Sequence, residues 1–347
     1  MFGGIMRRNS LVIAALLVAS VAALSVAAEA SELTSAPEFA ESKAICLRLG
    51  GPKPPPADRP TPAQVQALKG CSSEKLYYGV GSQRDYVKAR MCAFIEADRA
   101  DDEVFSGRAI LMQLYANGLG VSRDPDLATA YACQIEGAPA EKDARVLHMQ
   151  ALKTKPEHVD YCDDTSSGLA AGFCQNRDSN QSAGSRDARH HAMEARLPPA
   201  ARALYAPMKK AFNAFVAAHG TGEVDLSGTA RAALMIAEED AVRNQFAKDL
   251  DSLLIGRWPS ASAADAQAAD AQMNASYHKA MAWAGDMDNP TTTKPDDIRK
   301  AQRAWLAYRD AFNRFAAAAS DASADAVLAR LTTLRTAQLD DLVGDAP

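Results

Sequence analysis

The sequence predicts an all-α protein in which a short helix-pair repeat module is followed by an antiparallel helical bundle. In the C-terminal half, apolar residues recur at intervals of three and four, the spacing of one face of an α-helix. Further upstream, a helix-turn-helix pattern returns after 39 residues, from Asp85 to Asp124, a period typical of helix-pair repeats. The hydrophobic fraction of 48% in 347 residues suffices for helical cores in two or three domains.

Two related apolar stripes mark the anchor helices of the C-terminal domain, which is predicted to span residues 196–347. Ala-Phe-Asn-x-Phe occurs in both stripes, at 211–215 and 311–315. At this spacing large apolar residues are expected in the core rather than in a binding groove. The stripes are Ala201, Tyr205, Met208, Phe212 and Phe215, and Ile298, Ala301, Trp305, Tyr308, Phe312, Phe315 and Ala319. The predicted helices span 198–218, 229–256, 263–284, 296–319 and 323–342.

Capping signals mark where these helices begin and end. Ser262 followed by Asp265 is a capping-box sequence. Ser227 or Thr229 is expected to cap the second helix, because serine and threonine hydroxyls accept hydrogen bonds from the first free N–H groups. Gly256 is expected just after that helix ends.

Residues 76–140 are predicted to form the repeat module. The turn Gly79-x-Gly81 recurs as Gly118-x-Gly120, and an Arg-Asp pair and a second helix follow each turn. The stretch resembles SEL-type repeats, relatives of the tetratricopeptide family. The residues that carry the resemblance are Leu114, Tyr115, Gly118, Gly120, Val121, Asp124, Ala128 and Tyr131.

Residues 1–30 are interpreted as a secretion signal that is cleaved on export. A basic start and the apolar run Leu11–Ala28 lead into small-residue triplets. A retained membrane anchor is the alternative, whereas after cleavage we expect no stable membrane insertion. The predicted order then continues with an irregular, Pro-rich segment at 31–75, the repeat module, and a disulfide-containing connector at 141–195. The polar stretch 176–189 of this connector is expected to be a surface loop or linker.

All six cysteines lie between the signal and the C-terminal domain. An even number in an exported chain predicts three disulfides, for which fifteen pairings are possible. The preferred pairing is Cys46–Cys71, Cys92–Cys133 and Cys162–Cys174. Cys92 and Cys133 fall on the second helices of successive repeats, which we expect to be neighbours in the stack.

Charge and spacing argue against several classes of function. The net charge of −5 becomes about −6 when the signal, with two arginines and one glutamate, is removed. A mildly acidic protein is a poor nucleic-acid binder and a better match for a basic protein. No metal or cofactor is expected: His190-His191 lacks other ligands near it in sequence, and a calcium-loop count from Asp286 fails at its fifth and sixth places. No catalytic residue is expected either, because Ser227 lacks a Gly-x-Ser-x-Gly elbow.

Three motifs near the C-terminus resemble the lysozyme inhibitor LprI-like domain of bacterial exported proteins. They are Asp270-x-x-Met273-Asn274-x-x-Tyr277, then Arg299-Lys300-Ala301-Gln302-Arg303-Ala304-Trp305-x-x-Tyr308-Arg309-Asp310-Ala311, and Leu331-Thr332-x-x-Arg335-x-x-x-Leu339. Two cysteines common in the family are replaced here, one by Asn313 and the other near Val327, consistent with the loss of one disulfide. The resemblance implies an all-helical periplasmic domain and inhibition of lysozyme. The family-motif residues are Asn274, Tyr277, Gln302, Trp305, Tyr308, Arg309, Asp310, Thr332 and Arg335.

The sequence therefore predicts a periplasmic or secreted protein-binding protein without enzymatic activity, with lysozyme as the partner that the resemblance implies. The alternative is an envelope scaffold whose repeat module recruits a partner. A cell-wall hydrolase would need paired carboxylates in a cleft, which a sequence does not show.

Two charged features have alternative interpretations. Arg309 and Asp310 are expected to join helices through an ion pair or hydrogen bonds, and the alternative is a surface that meets a partner. An acidic turn beside the repeat is expected to be a solvated loop, and the alternative is a landing point for a cationic protein such as lysozyme. Its residues are Glu96, Asp98, Asp101, Asp102 and Glu103.

Overall fold

The computed structural model describes residues 37–99, 104–105 and 107–344. Within them the chain forms thirteen α-helices and three short 3-10 helices, without a β-strand. This confirms the all-α prediction. The chain folds as two compact units that divide between Ser166 and Ser167. The predicted signal at 1–30 lies outside the described residues.

Seven α-helices build the first unit. From α3 onward each helix packs against the next one in the chain, and α1 packs against both α6 and α7. Every residue from Ala109 to Ala116 is buried, because α5 lies between two neighbouring helices. The helices are α1 (Ala40–Leu49), α2 (Pro62–Ala67), α3 (Ser73–Tyr78), α4 (Tyr86–Ala97), α5 (Gly107–Asn117), α6 (Pro125–Ala132) and α7 (Pro139–Ala151).

The two Gly-x-Gly turns of this unit share one geometry. All four of their glycines have φ between 67° and 74°, a conformation that residues with a Cβ adopt at a cost. Each turn ends on an aspartate whose side chain caps the next helix: Asp85 accepts from Lys88 N and Asp124 from Leu127 N, both at 2.9 Å. The 39-residue repeat is thus a repeat of turn geometry and helix capping, whereas its SEL-type identity stays a prediction.

The disulfide pairing differs from the preferred one. Cys46 is bonded to Cys133 and Cys71 to Cys92, so the expected pairs Cys46–Cys71 and Cys92–Cys133 are wrong. The reason is that α5 packs against both α4 and α6 and so lies between the second helices of the two repeats. Cys133, at the end of α6, meets α1 instead. Cys162 and Cys174 are also disulfide-bonded.

Six longer helices build the second unit. The five helices predicted between 198 and 342 are all present, with ends within four residues of those expected. Among the described residues, none of these or the other helices is long and apolar enough to cross a lipid bilayer. The helices are α8 (Gly168–Glu194), α9 (Pro199–Gly222), α10 (Arg231–Leu254), α11 (Ala263–Gly285), α12 (Pro295–Ala319) and α13 (Ala324–Gly344).

Helix α8 corrects the prediction for the polar stretch 176–189, which is helical rather than a loop or linker. Its sequence has low helix propensity, so tertiary packing on α10 must stabilise it. The two helices start close together: a Cβ on Gly168 would lie 2.4 Å from the backbone nitrogen of Ala230. Glycine at the first position of α8 therefore permits the contact.

The two apolar stripes form the core of this unit, as predicted. Tyr205 contacts Phe315 with ring centroids 5.9 Å apart, and Phe212 contacts Tyr308 at 5.2 Å. Because the residue numbers of the paired rings run in opposite directions, α9 and α12 are antiparallel. Phe212 also stacks on Phe246 of α10 at 4.1 Å, which extends the aromatic cluster to a third helix.

The caps were partly predicted. Ser262 and Asp265 form the expected capping box of α11, and Gly256 follows α10 with φ 70°. The N-cap of α10 is Ala230, without a side-chain cap, so Ser227 and Thr229 do not have the predicted capping role. Ser227 instead donates from its hydroxyl and its backbone N–H to the Asp225 carboxylate.

Candidate functional site

The family-motif residues divide into an exposed groove, an aromatic core and a buried polar network. The groove runs between α11 and α12 and is the candidate binding site. It is lined by Asp270, Met273, Asn274, Tyr277, Arg299, Gln302, Arg303, Leu306 and Arg309. On each helix the lining residues are three or four positions apart, so they lie on one side of that helix. These two sides face each other across the groove.

Arg309 organises one end of the groove. Its guanidinium lies 5.2 Å from the ring of Trp305 and donates to the Asp310 carboxylate at 3.0 and 3.1 Å. Its Nη1 lies 3.7 Å from Asp270 on α11, and Asp270 also accepts from Asn274 at 3.1 Å. The expected link between helices is therefore formed by Arg309 with Asp270, whereas Asp310 pairs within its own helix.

The groove also presents side chains that its own packing uses little. Asn274 and Arg303 are exposed, and Tyr277 is half-buried. The rest of the wall is more firmly held, because Gln302 donates to the Met273 sulfur at 3.0 Å. Exposed arginines above a fixed wall can donate hydrogen bonds to carboxylate groups of a partner, since the guanidinium fork matches carboxylate geometry.

Trp305 and Tyr308 belong to the core, as the stripe predicts. They are 2% and 5% exposed, and burial raises the pKa of Tyr308. Thr332 is also buried, and its carbonyl accepts from the Thr336 hydroxyl at 3.0 Å. These three motif residues stabilise the fold rather than contact solvent.

Arg335 and Gln302 meet in a polar network that the sequence reasoning did not find. Arg335 is fully buried and donates through Nη1 and Nη2 to both carboxylate oxygens of Glu223, at 2.7 and 2.5 Å. Its Nε donates to the Gln302 side chain at 2.9 Å. A bidentate pair of this kind fixes the relative positions of α13 and the end of α9, because both partners are removed from water.

His219 completes this network from the last turn of α9. One ring nitrogen lies 2.7 Å from Glu223 and the other 2.9 Å from Glu238. Burial disfavours the charged ring, but the two carboxylate hydrogen bonds outweigh it and raise the pKa of His219. Burial likewise opposes ionisation of Glu223, yet the charge and hydrogen bonds of Arg335 lower its pKa to about 2. The family motifs marked Gln302 and Arg335, but nothing in the sequence joined them to Glu223 or His219.

The residues of the rejected calcium loop hydrogen-bond to nearby backbone groups and to Asp225. Asp286 accepts from Asp288 N at 3.0 Å, and Asp297 accepts from Lys294 N at 3.3 Å. Thr292 bonds to Asp225, 3.0 Å away. Within the described ranges no three His, Cys, Asp or Glu side chains are grouped to hold a metal ion.

The acidic turn of the first unit is used internally at its described positions. Glu96 accepts from the backbone nitrogens of Ser73 and Gly107, both at 3.0 Å. Asp98 pairs with Arg59 at 3.2 Å. Glu96 is thus a structural residue rather than part of a solvated loop. The remaining acids of the turn, at 101–103, lie outside the described residues.

Comparison with known proteins gives a family match in the C-terminal part of the chain. No curated protein and no solved structure was found to match. Residues 260–339 match the family described as lysozyme inhibitor LprI, a range that contains α11, α12 and most of α13 and therefore both walls of the groove.

Proposed function

We propose that this chain is an exported, non-enzymatic protein-binding protein that inhibits lysozyme through the groove between α11 and α12. The match of residues 260–339 to the lysozyme inhibitor LprI family carries the proposal. All six cysteines are disulfide-bonded. This fits a periplasmic or secreted location, because such bonds persist in oxidising compartments.

Both the net charge of the chain and the charges in the groove support lysozyme as the partner. The chain is acidic overall, which favours encounter with a cationic protein. The groove itself is lined by Arg299, Arg303 and Arg309 with one acid, Asp270. Arg299 and Arg309 also pair with neighbouring acids of α12, so Arg303 is the cation most available to a partner. Lysozyme has two catalytic carboxyl groups in its cleft, so an arginine-lined groove that closes over the cleft would pair with them and exclude substrate.

The test is lysis of a bacterial cell-wall substrate by lysozyme with the mature protein in excess. Arg303→Ala removes a groove cation, and Arg314→Ala removes an exposed cation of α12 that does not line the groove. We expect the wild-type chain and Arg314→Ala to slow lysis, and Arg303→Ala to inhibit at least about tenfold less, the usual loss for a charge-assisted contact. Unchanged lysis together with no complex in a pull-down would remove the inhibitor proposal.

A scaffold that recruits an envelope partner through the first unit is the second candidate. The observation that favours it is the repeated turn geometry of Gly79-x-Gly81 and Gly118-x-Gly120, because stacked helix pairs provide extended binding surfaces. Separate expression of 31–166 with Cys162→Ser and of 167–347 with Cys174→Ser, which leaves no unpaired thiol, discriminates the two. Inhibition by the second piece alone favours the lysozyme proposal, and partner capture by the first piece alone favours the scaffold.

A further inference from the structure

A second polar cleft lies in the C-terminal unit, between α8, α9 and α10. Arg186 and His190 line it from α8, Lys209 and Asn213 from α9, and Arg243 from α10. It lies outside residues 260–339, which match the family, and outside the groove between α11 and α12. Its chemistry is therefore separate from the proposed lysozyme contact.

His190 is an unpartnered buried group in the wall of this cleft. His190 is only 8% exposed, and its ring contacts the Phe246 ring edge-on with centroids 5.7 Å apart. Neither ring nitrogen has a hydrogen-bond partner. Burying a polar nitrogen in this state costs stability, so a hydrogen-bond partner that reached the ring would recover that cost.

Arg186 offers a second unused donor on the same side of α8, one turn from His190. Its Nη2 donates to Asp240 at 3.0 Å, whereas its Nη1 is buried without a partner. Two acids of α10 beside the cleft are already paired, because Arg243 contacts Glu239 at 2.7 Å and Asp240 at 3.3 Å. The donors left free in the wall are thus the guanidinium Nη1 and the imidazole.

Burial is the main influence on the charge state of the imidazole. It lowers the pKa of His190, and the charge of Lys209 lowers it further, whereas Asp187 and Asp251 raise it and Arg186 adds a smaller lowering effect. The imidazole therefore stays neutral and keeps one N–H donor. Asp187 is exposed at the rim, where solvent screens its charge.

We propose that this cleft binds a small anionic ligand with a carboxylate or phosphate group, whose oxygens accept from Arg186 Nη1 and the His190 imidazole and face the charge of Lys209. A guanidinium fork beside a neutral imidazole donor suits such oxyanions, which form short, charge-assisted hydrogen bonds. The ligand would supply the partners that both buried groups lack.

The test is a titration of the full mature chain with inorganic phosphate and, separately, with succinate, followed by the ring ¹⁵N resonances of His190. His190→Asn assigns these resonances by their disappearance. We expect a saturable shift that chloride at equal ionic strength does not produce. Saturation by phosphate alone identifies a phosphate ligand, and saturation by succinate alone identifies a carboxylate ligand.

Two neighbouring lysines provide matched variants. Lys209 lines the cleft, whereas Lys210 does not. Lys209→Gln should weaken binding of the probe about tenfold, the loss typical of one charge-assisted contact, and Lys210→Gln should leave it unchanged. The proposal is overturned if neither probe shifts the His190 resonances more than chloride does, or if the two lysine variants weaken binding equally.

Discussion

Replacing Arg335 by methionine tests the buried network directly. Methionine has a similar length but no charge, so Glu223 loses the partner that contacts both of its carboxylate oxygens. Breaking a buried ion pair by removing one partner costs about 3–5 kcal/mol. His219 remains beside Glu223 at 2.7 Å and should keep the cost near the lower end. For a unit of this size we expect a fall in Tm of about 10 °C.

The assay is urea and thermal unfolding followed by tryptophan fluorescence. All three tryptophans, Trp258, Trp283 and Trp305, lie in the second unit, so the signal reports that unit within the intact chain. Arg314→Met, an exposed substitution on α12, is the control and should change the free energy of unfolding by less than about 0.5 kcal/mol.

The double variant Glu223→Leu with Arg335→Met separates a lost attraction from an uncompensated charge. It removes both buried charges and should recover about 2 kcal/mol relative to Arg335→Met alone. If Arg335→Met costs no more than the control, or if the double variant is less stable by the sum of the two single effects, the electrostatic reasoning is refuted.

Four further predictions concern pH, covalent closure, backbone strain and the core. The pKa of Glu223 is about 2 in the fold against an ordinary value of 4.5. The ionised carboxylate therefore stabilises the fold above pH 4.5, and up to about 3 kcal/mol of this stabilisation is lost as the pH falls toward 2. In acid unfolding, Glu223→Gln should lack this loss. Removing Cys46–Cys133 should cost about 4.6 kcal/mol and removing Cys71–Cys92 about 3.3 kcal/mol, since their loops span 87 and 21 residues. Urea unfolding followed by far-ultraviolet circular dichroism measures both losses, and equal losses would contradict the loop-length reasoning. Gly120→Ala should destabilise the first unit by more than Gly81→Ala, which meets open space and should cost about 1 kcal/mol, because only at Gly120 would a Cβ lie 2.9 Å from a backbone carbonyl. Phe212→Ala should lower the free energy of unfolding of the second unit by about 3–5 kcal/mol through the lost stacking on α10, and a fluorescence-detected loss below about 1 kcal/mol would place the ring outside the core.

Much of the second unit was predictable because its signals are local. The stripe that includes Phe212 and Phe215 follows helical spacing, and the capping box of Ser262 lies within four residues. The spacing indicates which face of a helix is buried, and the capping box indicates where a helix begins. Neither signal depends on distant residues. The helices and the burial of their aromatic residues therefore followed from the sequence.

The polar network and the disulfides were not predictable in the same way. Arg335 and Glu223 are 112 residues apart, and no spacing rule joins them. Cys133 pairs with Cys46 because α1 packs back against α6, which is a property of topology rather than of neighbouring sequence. Helix α8 was missed because packing on α10 outweighs the low helix propensity of its Gly, Ser and Asn residues.

The candidate groove was only half predictable. The resemblance marked Asn274, Tyr277 and Arg309 as one set, but it marked Trp305 and Thr332 equally. Coordinates separate the solvent-facing members from those that the core requires. Motif matching detects both kinds of constraint, since folding and binding each restrict which residue types are accepted.

The two cystine bridges of the first unit make its folding depend on the compartment in which the chain resides. In the cytosol, where thiols are kept reduced, both covalent closures are absent, and with them about 8 kcal/mol of stabilisation. That is of the order of the entire free energy of unfolding of a typical domain. If the proposed export holds, a newly made chain would reach the membrane with a weakly stable first unit, and oxidation of Cys46 and Cys133 after transport would stabilise it.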